Sequence, residues 1–106
     1  MGSVMIAAEA PRLMVSGWVR LSGGAPVEVR RAMVLVGSDG AELGQVAAVV
    51  VAGPAQTATH LLLCRLAPEP EYRLTPIALI DRVEDVAVHL RLPSNDVTTL
   101  PRRETS

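Results

Sequence analysis

Residues 34–73 constrain the fold more than any other part of the chain. An apolar run, Val34-Leu35-Val36, gives way to Gly37-Ser38-Asp39-Gly40, and Leu43-Gly44-Gln45-Val46 opens a second run. Gly53-Pro54 interrupts that run, and Thr59-His60-Leu61-Leu62-Leu63 follows. Apolar runs this short, bounded by Gly, Pro and Asp, read as strands joined by tight turns. Asp tolerates left-handed backbone and Gly takes positive φ at little cost, so Asp39-Gly40 suits a hairpin reversal. Short strands at close spacing predict an all-β chain, a small antiparallel β-barrel.

The flanks agree with this reading. In 13–21, Leu13, Val15, Gly17, Val19 and Leu21 alternate with Met14, Ser16, Trp18 and Arg20, which is the period of a strand. A turn-forming cluster, Ser22-Gly23-Gly24-Ala25-Pro26, ends it. Residues 27–36 read as one strand whose second half is either buried under another element or bulged near Arg31, 43–52 as its return strand, and 59–66 as a strand apolar on both faces. Pro68 and Pro70 end that strand, because neither can donate to a ladder. In 71–75, Tyr72 and Leu74 face one way and Arg73 the other. Residues 76–80 predict a helical or irregular corner, and 86–92 a strand with one wet face. Ser94-Asn95-Asp96 predicts the cap of one short helical turn that Pro101 stops. The resulting division is a flexible lead at 1–10, an added strand and turn at 11–26, a barrel at 27–101 and a tail at 102–106.

Composition removes several classes of function. A chain of 106 residues has room for one domain with one modest core. Trp18 and Tyr72 are its only aromatics, so Val, Leu, Ile, Ala and Met must fill that core. Two rings cannot make a stacking platform for single-stranded nucleic acid. The net charge of −1 supplies no broad basic field, although all ten basic residues are arginine. Cys64 is alone, which rules out an intrachain disulfide and a metal-binding cysteine cluster. The longest apolar run, 46–52, is far short of the ~20 residues a membrane helix needs. The start of the chain lacks the basic and apolar regions of a secretory leader. These readings predict a cytoplasmic protein with no membrane insertion.

In this order the residues resemble the PRC-barrel family. Asp39-Gly40 is followed by Leu43-Gly44-Gln45-Val46, then Thr59-His60-Leu61, then Tyr72-Arg73-Leu74-Thr75-Pro76 leading into 77–80, with Leu100-Pro101 as the closing pair. The resemblance covers about two thirds of the chain. It implies a PRC-type barrel used for docking, with no shared catalytic residue. The family includes a domain of the photosynthetic reaction-centre H subunit and the carboxy-terminal domain of a ribosome maturation factor. The second of these gives an alternative role, as an RNA- or ribosome-associated module. Residues 13–21 lie outside the resemblance and read as an added edge strand or a dimer arm.

Candidate chemistry is sparse. His60 and Cys64 lie four residues apart on one strand, hence ~13 Å along it, too far for a nucleophile and its base. His89 falls on a wet face, Asp39 reads as a turn residue, and Glu42 as a solvated neighbour of that turn. Asp81, Glu84 and Asp85 lack the spacing of a calcium loop and read as a solubilising loop. Arg65 and Arg73 flank the two-proline loop, with Glu69 and Glu71 placed for ion pairs across it; the alternative is an anion-facing or RNA-facing patch, which the maturation-factor resemblance favours. Trp18 points away from the face of Val15 and Val19, where a large aromatic is either covered or used in a contact. The expectation is a non-enzymatic, self-associating docking barrel that needs no cofactor or metal. Its interface residues are Trp18, Met14, Leu62, Arg65 and Arg73.

Overall fold

The computed structural model describes residues 11–21, 24–65 and 70–103. The expected flexible lead, Ser22-Gly23 of the first turn, most of the two-proline loop and the end of the tail lie outside the described residues. The strands are β1 (Arg12–Met14), β2 (Ser16–Arg20), β3 (Pro26–Arg30), β4 (Val34–Val36), β5 (Glu42–Ala52), β6 (Thr57–Arg65), β7 (Glu71–Pro76), β8 (Ile80–Val83) and β9 (Ala87–Leu90). Two short 3-10 helices complete the set, Ile77–Leu79 at the predicted corner and Ser94–Thr99 near the C-terminus.

The main sheet runs β7-β6-β5-β4-β9-β8, with β1 added on β5, and it curls into a half-barrel. Its two outer strands are consecutive in the chain and meet through the corner helix, where the Arg91 amide donates to the Leu79 carbonyl. The hairpin β2–β3 forms a separate two-stranded sheet and sends Val19 and Val29 into the core. Val97 and Leu100, from the C-terminal helix and its end, enter the same core. The interior is thus completed by a hairpin and a helix laid against a curled sheet.

Three local expectations change. The fold is all-β, but its ladder is not wholly antiparallel: β4 and β9 run parallel, Leu35 opposite Val88. A parallel pair needs a long crossover, which β5 to β8 supply. The strand predicted at 13–21 breaks at Val15, because Met14 is in register with Val49 on β5 while Ser16 pairs with Arg30 on β3. The strand predicted at 27–36 likewise breaks at 31–33, where Ala32 takes φ 80° and the chain returns to the main sheet. At both points one stretch of alternating residues serves two sheets.

The C-terminal helix begins differently from its predicted cap. Pro93 occupies the cap position without a side-chain bond, and Ser94 is the first helical residue. Asp39 serves it from 55 residues away. The Ser94 amide donates to both Asp39 carboxylate oxygens at 3.3 Å, and its hydroxyl donates to Oδ2 at 2.7 Å. Asp39 also accepts from the Ala41 amide within its own turn. The turn reading of Asp39 therefore holds, and the residue additionally ties the hairpin tip to the helix.

This link carries a pH dependence. The Ser94 hydroxyl holds the Asp39 carboxyl below its ordinary value of 3.8. Glu71, hydrogen-bonded by Arg73, and Glu84, hydrogen-bonded by His89, are lowered as well. For a carboxylate depressed in the folded state, the stabilisation is present above its unfolded pKa and is lost as pH falls through the folded value. Urea midpoints should therefore hold at neutral pH and fall once the pH drops below about 4–5. Asp39→Asn should be less stable at neutral pH and show a shallower acid loss. Parallel pH curves for the two proteins would remove Asp39 from this account.

Candidate functional site

Among the described residues, four of the five exposed large apolar side chains gather where the chain changes sheets; the fifth, Val86, is 68% exposed in the β8–β9 turn. Leu13 is 44% exposed, Met14 36%, Val15 67% and Trp18 66%. The cause is local: β1 holds to β5 for three residues only, and Val15 lies in the bend between two sheets. Leu13 and Val15 were expected on the face of Val19, but the bend leaves both in solvent while Val19 is buried. Gly17 sets the crossing point of the hairpin over the sheet. A Cβ there would stand 2.9 Å from Val49 Cγ1, so this glycine lets the β2 backbone lie directly against the Val49 side chain.

Trp18 stands opposite Glu28 on β3, and Arg20 opposite Pro26. Beside them opens a cleft of about 570 Å³. Ser16, Trp18 and Arg20 of β2 line one wall and Gln56, Thr57 and Ala58 the other; Met14 and Ile77 also line it. The volume lies within the range of binding clefts, and the lining mixes an aromatic, aliphatics, hydroxyls and a guanidinium. Arg20 makes no ion pair among the described residues.

The structure thus brings two of the expected interface residues, Met14 and Trp18, to one place, and it sets the other three elsewhere. Leu62 is buried on β6 between Ala48 and Leu74, on the face away from Leu61 and Leu63. Arg65 is half-buried, 3.5 Å from Glu71. Arg73 is not at a rim: it is 8% exposed, and its guanidinium reaches Glu71 and two carbonyls of the C-terminal segment. The ion pairs expected around the two-proline loop form on Glu71, which also lies 3.7 Å from Arg102.

The remaining candidates have structural partners. His60 Nδ1 lies 3.0 Å from the Thr59 hydroxyl, and Cys64 stands opposite Gln45 and Tyr72. His89, expected to be solvated, is only partly exposed and sits 3.0 Å from Glu84. Asp81 is on β8 itself and pairs with Arg82 and Arg91. Glu84 and Asp85 lie in the expected loop between β8 and β9, so the loop reading holds for two of the three acidic residues. Among the described residues, no three His, Cys, Asp or Glu side chains converge as metal ligands, and no helix is long and apolar enough to cross a membrane.

Sequence reasoning missed Ser16, Arg20 and the wall at 56–58. Their only signal was the alternation that sets Ser16, Trp18 and Arg20 on one side of a strand. Compared with known proteins, the chain matches no family model, no curated protein and no solved structure.

Proposed function

We propose that the chain is a PRC-barrel-like docking module, without catalytic machinery of its own, that associates with a second copy of itself. The observation that carries this reading is the cluster of exposed Leu13, Met14, Val15 and Trp18 at the sheet change. Neighbouring exposed apolar side chains mark interaction sites, and a tryptophan is the side chain most often found at the energetic centre of an interface. The half-barrel and the order of its turn and strand residues support the PRC-type part of the proposal. Asp39-Gly40 falls at the β4–β5 turn, Gly44 near the start of β5, and Thr59-His60-Leu61 inside β6. The lone Cys64 suits the reducing cytoplasm, where we take the protein to act. An RNA-facing role draws less support, because Arg65 and Arg73, its main candidates, both engage Glu71.

Light scattering at micromolar concentration should give twice the chain mass. Trp18→Ala should weaken the association by about 30-fold or more, the effect of losing a hot-spot aromatic. Trp18 is the only tryptophan, so its emission should also shift to the blue as concentration rises. A strictly monomeric protein, with emission independent of concentration, overturns the reading.

A further inference from the structure

One edge of β2 has no ladder partner among the described residues. The Arg31 amide donates to the Val15 carbonyl at 2.8 Å, and Ser16 stands opposite Arg30. In an antiparallel ladder this makes Ser16–Arg30 a pair without mutual hydrogen bonds. By alternation Trp18–Glu28 and Arg20–Pro26 are of the same kind, while Gly17–Val29 and Val19–Val27 hold the hairpin together. The N–H and C=O groups of Ser16, Trp18 and Arg20 therefore point away from β3. All three residues line the cleft, and β2 has no strand partner besides β3 among the described residues.

The edges of β7, β8 and β3 are guarded. On β7, the Leu74 amide donates to the Pro101 carbonyl and the Arg103 amide to the Tyr72 carbonyl, so the tail covers the edge. The β8 edge carries Asp81 and Arg82, and β3 carries Pro26, Glu28 and Arg30. Charges, prolines and covering segments are the usual protection against edge-to-edge pairing. From Ser16 to Val19, β2 has none of them among the described residues.

We propose that this edge pairs with β2 of a second copy, antiparallel, about a two-fold axis at Trp18. The inference rests on the self-association proposed above and names its geometry. A two-fold strand pair is isologous, so each residue must suit its own symmetry mate. Centring on Trp18 sets Trp18 opposite Trp18 and Ser16 opposite Arg20 of the other copy. This register uses all three outward-pointing residues of each copy and never sets arginine against arginine. Like charges directly opposite would oppose pairing, whereas aromatic pairs favour it.

Ser16→Pro removes one outward N–H per copy and leaves the bonds to β3 intact. Its dimer should dissociate about tenfold more readily, or more, with unchanged circular dichroism and melting of the monomer. Ser16→Ala should match the wild type. Amide exchange in the wild type provides a test that needs no variant. The Trp18 and Arg20 amides should be protected only at dimer-forming concentration, whereas Gly17 and Val19 are protected throughout. A wild type that stays monomeric removes self-association and this geometry together. A dimer that tolerates Ser16→Pro, with Trp18 and Arg20 exchanging alike at all concentrations, keeps self-association and overturns the edge pairing. Protection of both amides in the monomer overturns it too, because another segment of the chain then occupies the edge.

Discussion

Gly44→Ala should be among the most destabilising single-methyl additions the chain can receive. A Cβ at this position would lie 2.3 Å from the Cys64 carbonyl oxygen and 3.1 Å from its carbonyl carbon. The obstacle is backbone of the neighbouring strand, so no rotamer change relieves it. The residue also takes φ 155°, outside the preference of residues with a Cβ, next to the register shift between β4 and β5. A bulge with close backbone approach is a recurrent reason for glycine inside a strand. Overpacking and backbone strain together should cost about 2–5 kcal/mol, against a total stability of about 5–15 kcal/mol for a domain. The urea midpoint measures this, and exchange at Gln45 and Cys64 should accelerate ahead of the remaining core. Gly40→Ala is the informative control: that glycine is also at positive φ, 84°, but a Cβ would meet nothing within 4 Å. Equal losses at the two sites would mean that φ alone, and not the approach of β6, explains Gly44.

Gly44 also shows what kind of information the sequence carried. Leu43-Gly44-Gln45-Val46 was recognisable as the opening of a strand, yet nothing local said that the glycine faces a carbonyl of β6. Turn chemistry was legible because its determinants are neighbours: Asp39-Gly40 reverses the chain, and Pro76 leads into the corner helix. The alternation of 86–92 was legible for the same reason over Ala87–Leu90, although the strand is shorter than expected and Val86, expected beside Val88, is exposed. Partner choice was not. The period-2 pattern passes through Val15 and through 31–33 without marking that the strand leaves one sheet for the other. Nor can it distinguish the parallel β4–β9 pair from an antiparallel one, because both present Leu35 and Val88 to the core. At the candidate site, Trp18 was visible as an aromatic on an outer face. The cleft beside it was not, because its second wall, Gln56 to Ala58, comes from the distant β5–β6 turn and the first residues of β6.

Arg73→Met is the second substitution expected to have a large effect, and it tests why a charged residue sits on the inner face of β7. The Arg73 Nη1 group donates to the Leu100 carbonyl at 2.7 Å and to the Thr98 carbonyl at 3.0 Å. Nε and Nη2 donate to the two Glu71 carboxylate oxygens at 3.1 and 3.3 Å. The planar guanidinium thus joins β7 to the end of the C-terminal helix, whose last carbonyls have no partners within the helix. Methionine retains much of the apolar bulk and removes every donor. With about 1–3 kcal/mol for a buried acceptor left unpaired, the buried Leu100 carbonyl and the part-buried Thr98 carbonyl together should bring a loss of about 2–4 kcal/mol. The damage should begin locally, because Val97 and Leu100 owe their place in the core to this anchored segment. Exchange at Leu74 and Arg103, whose amides bond across the β7 edge, should therefore quicken more than exchange at Val49 or Leu61. Arg73→Lys separates charge from geometry. A lysine preserves the attraction to Glu71 but cannot span both carbonyls and the carboxylate, so most of the loss should remain. If lysine restores full stability, the charge alone suffices and the guanidinium fork is incidental. If methionine is as stable as the wild type, the C-terminal helix is held by Val97 and Leu100 without help from Arg73.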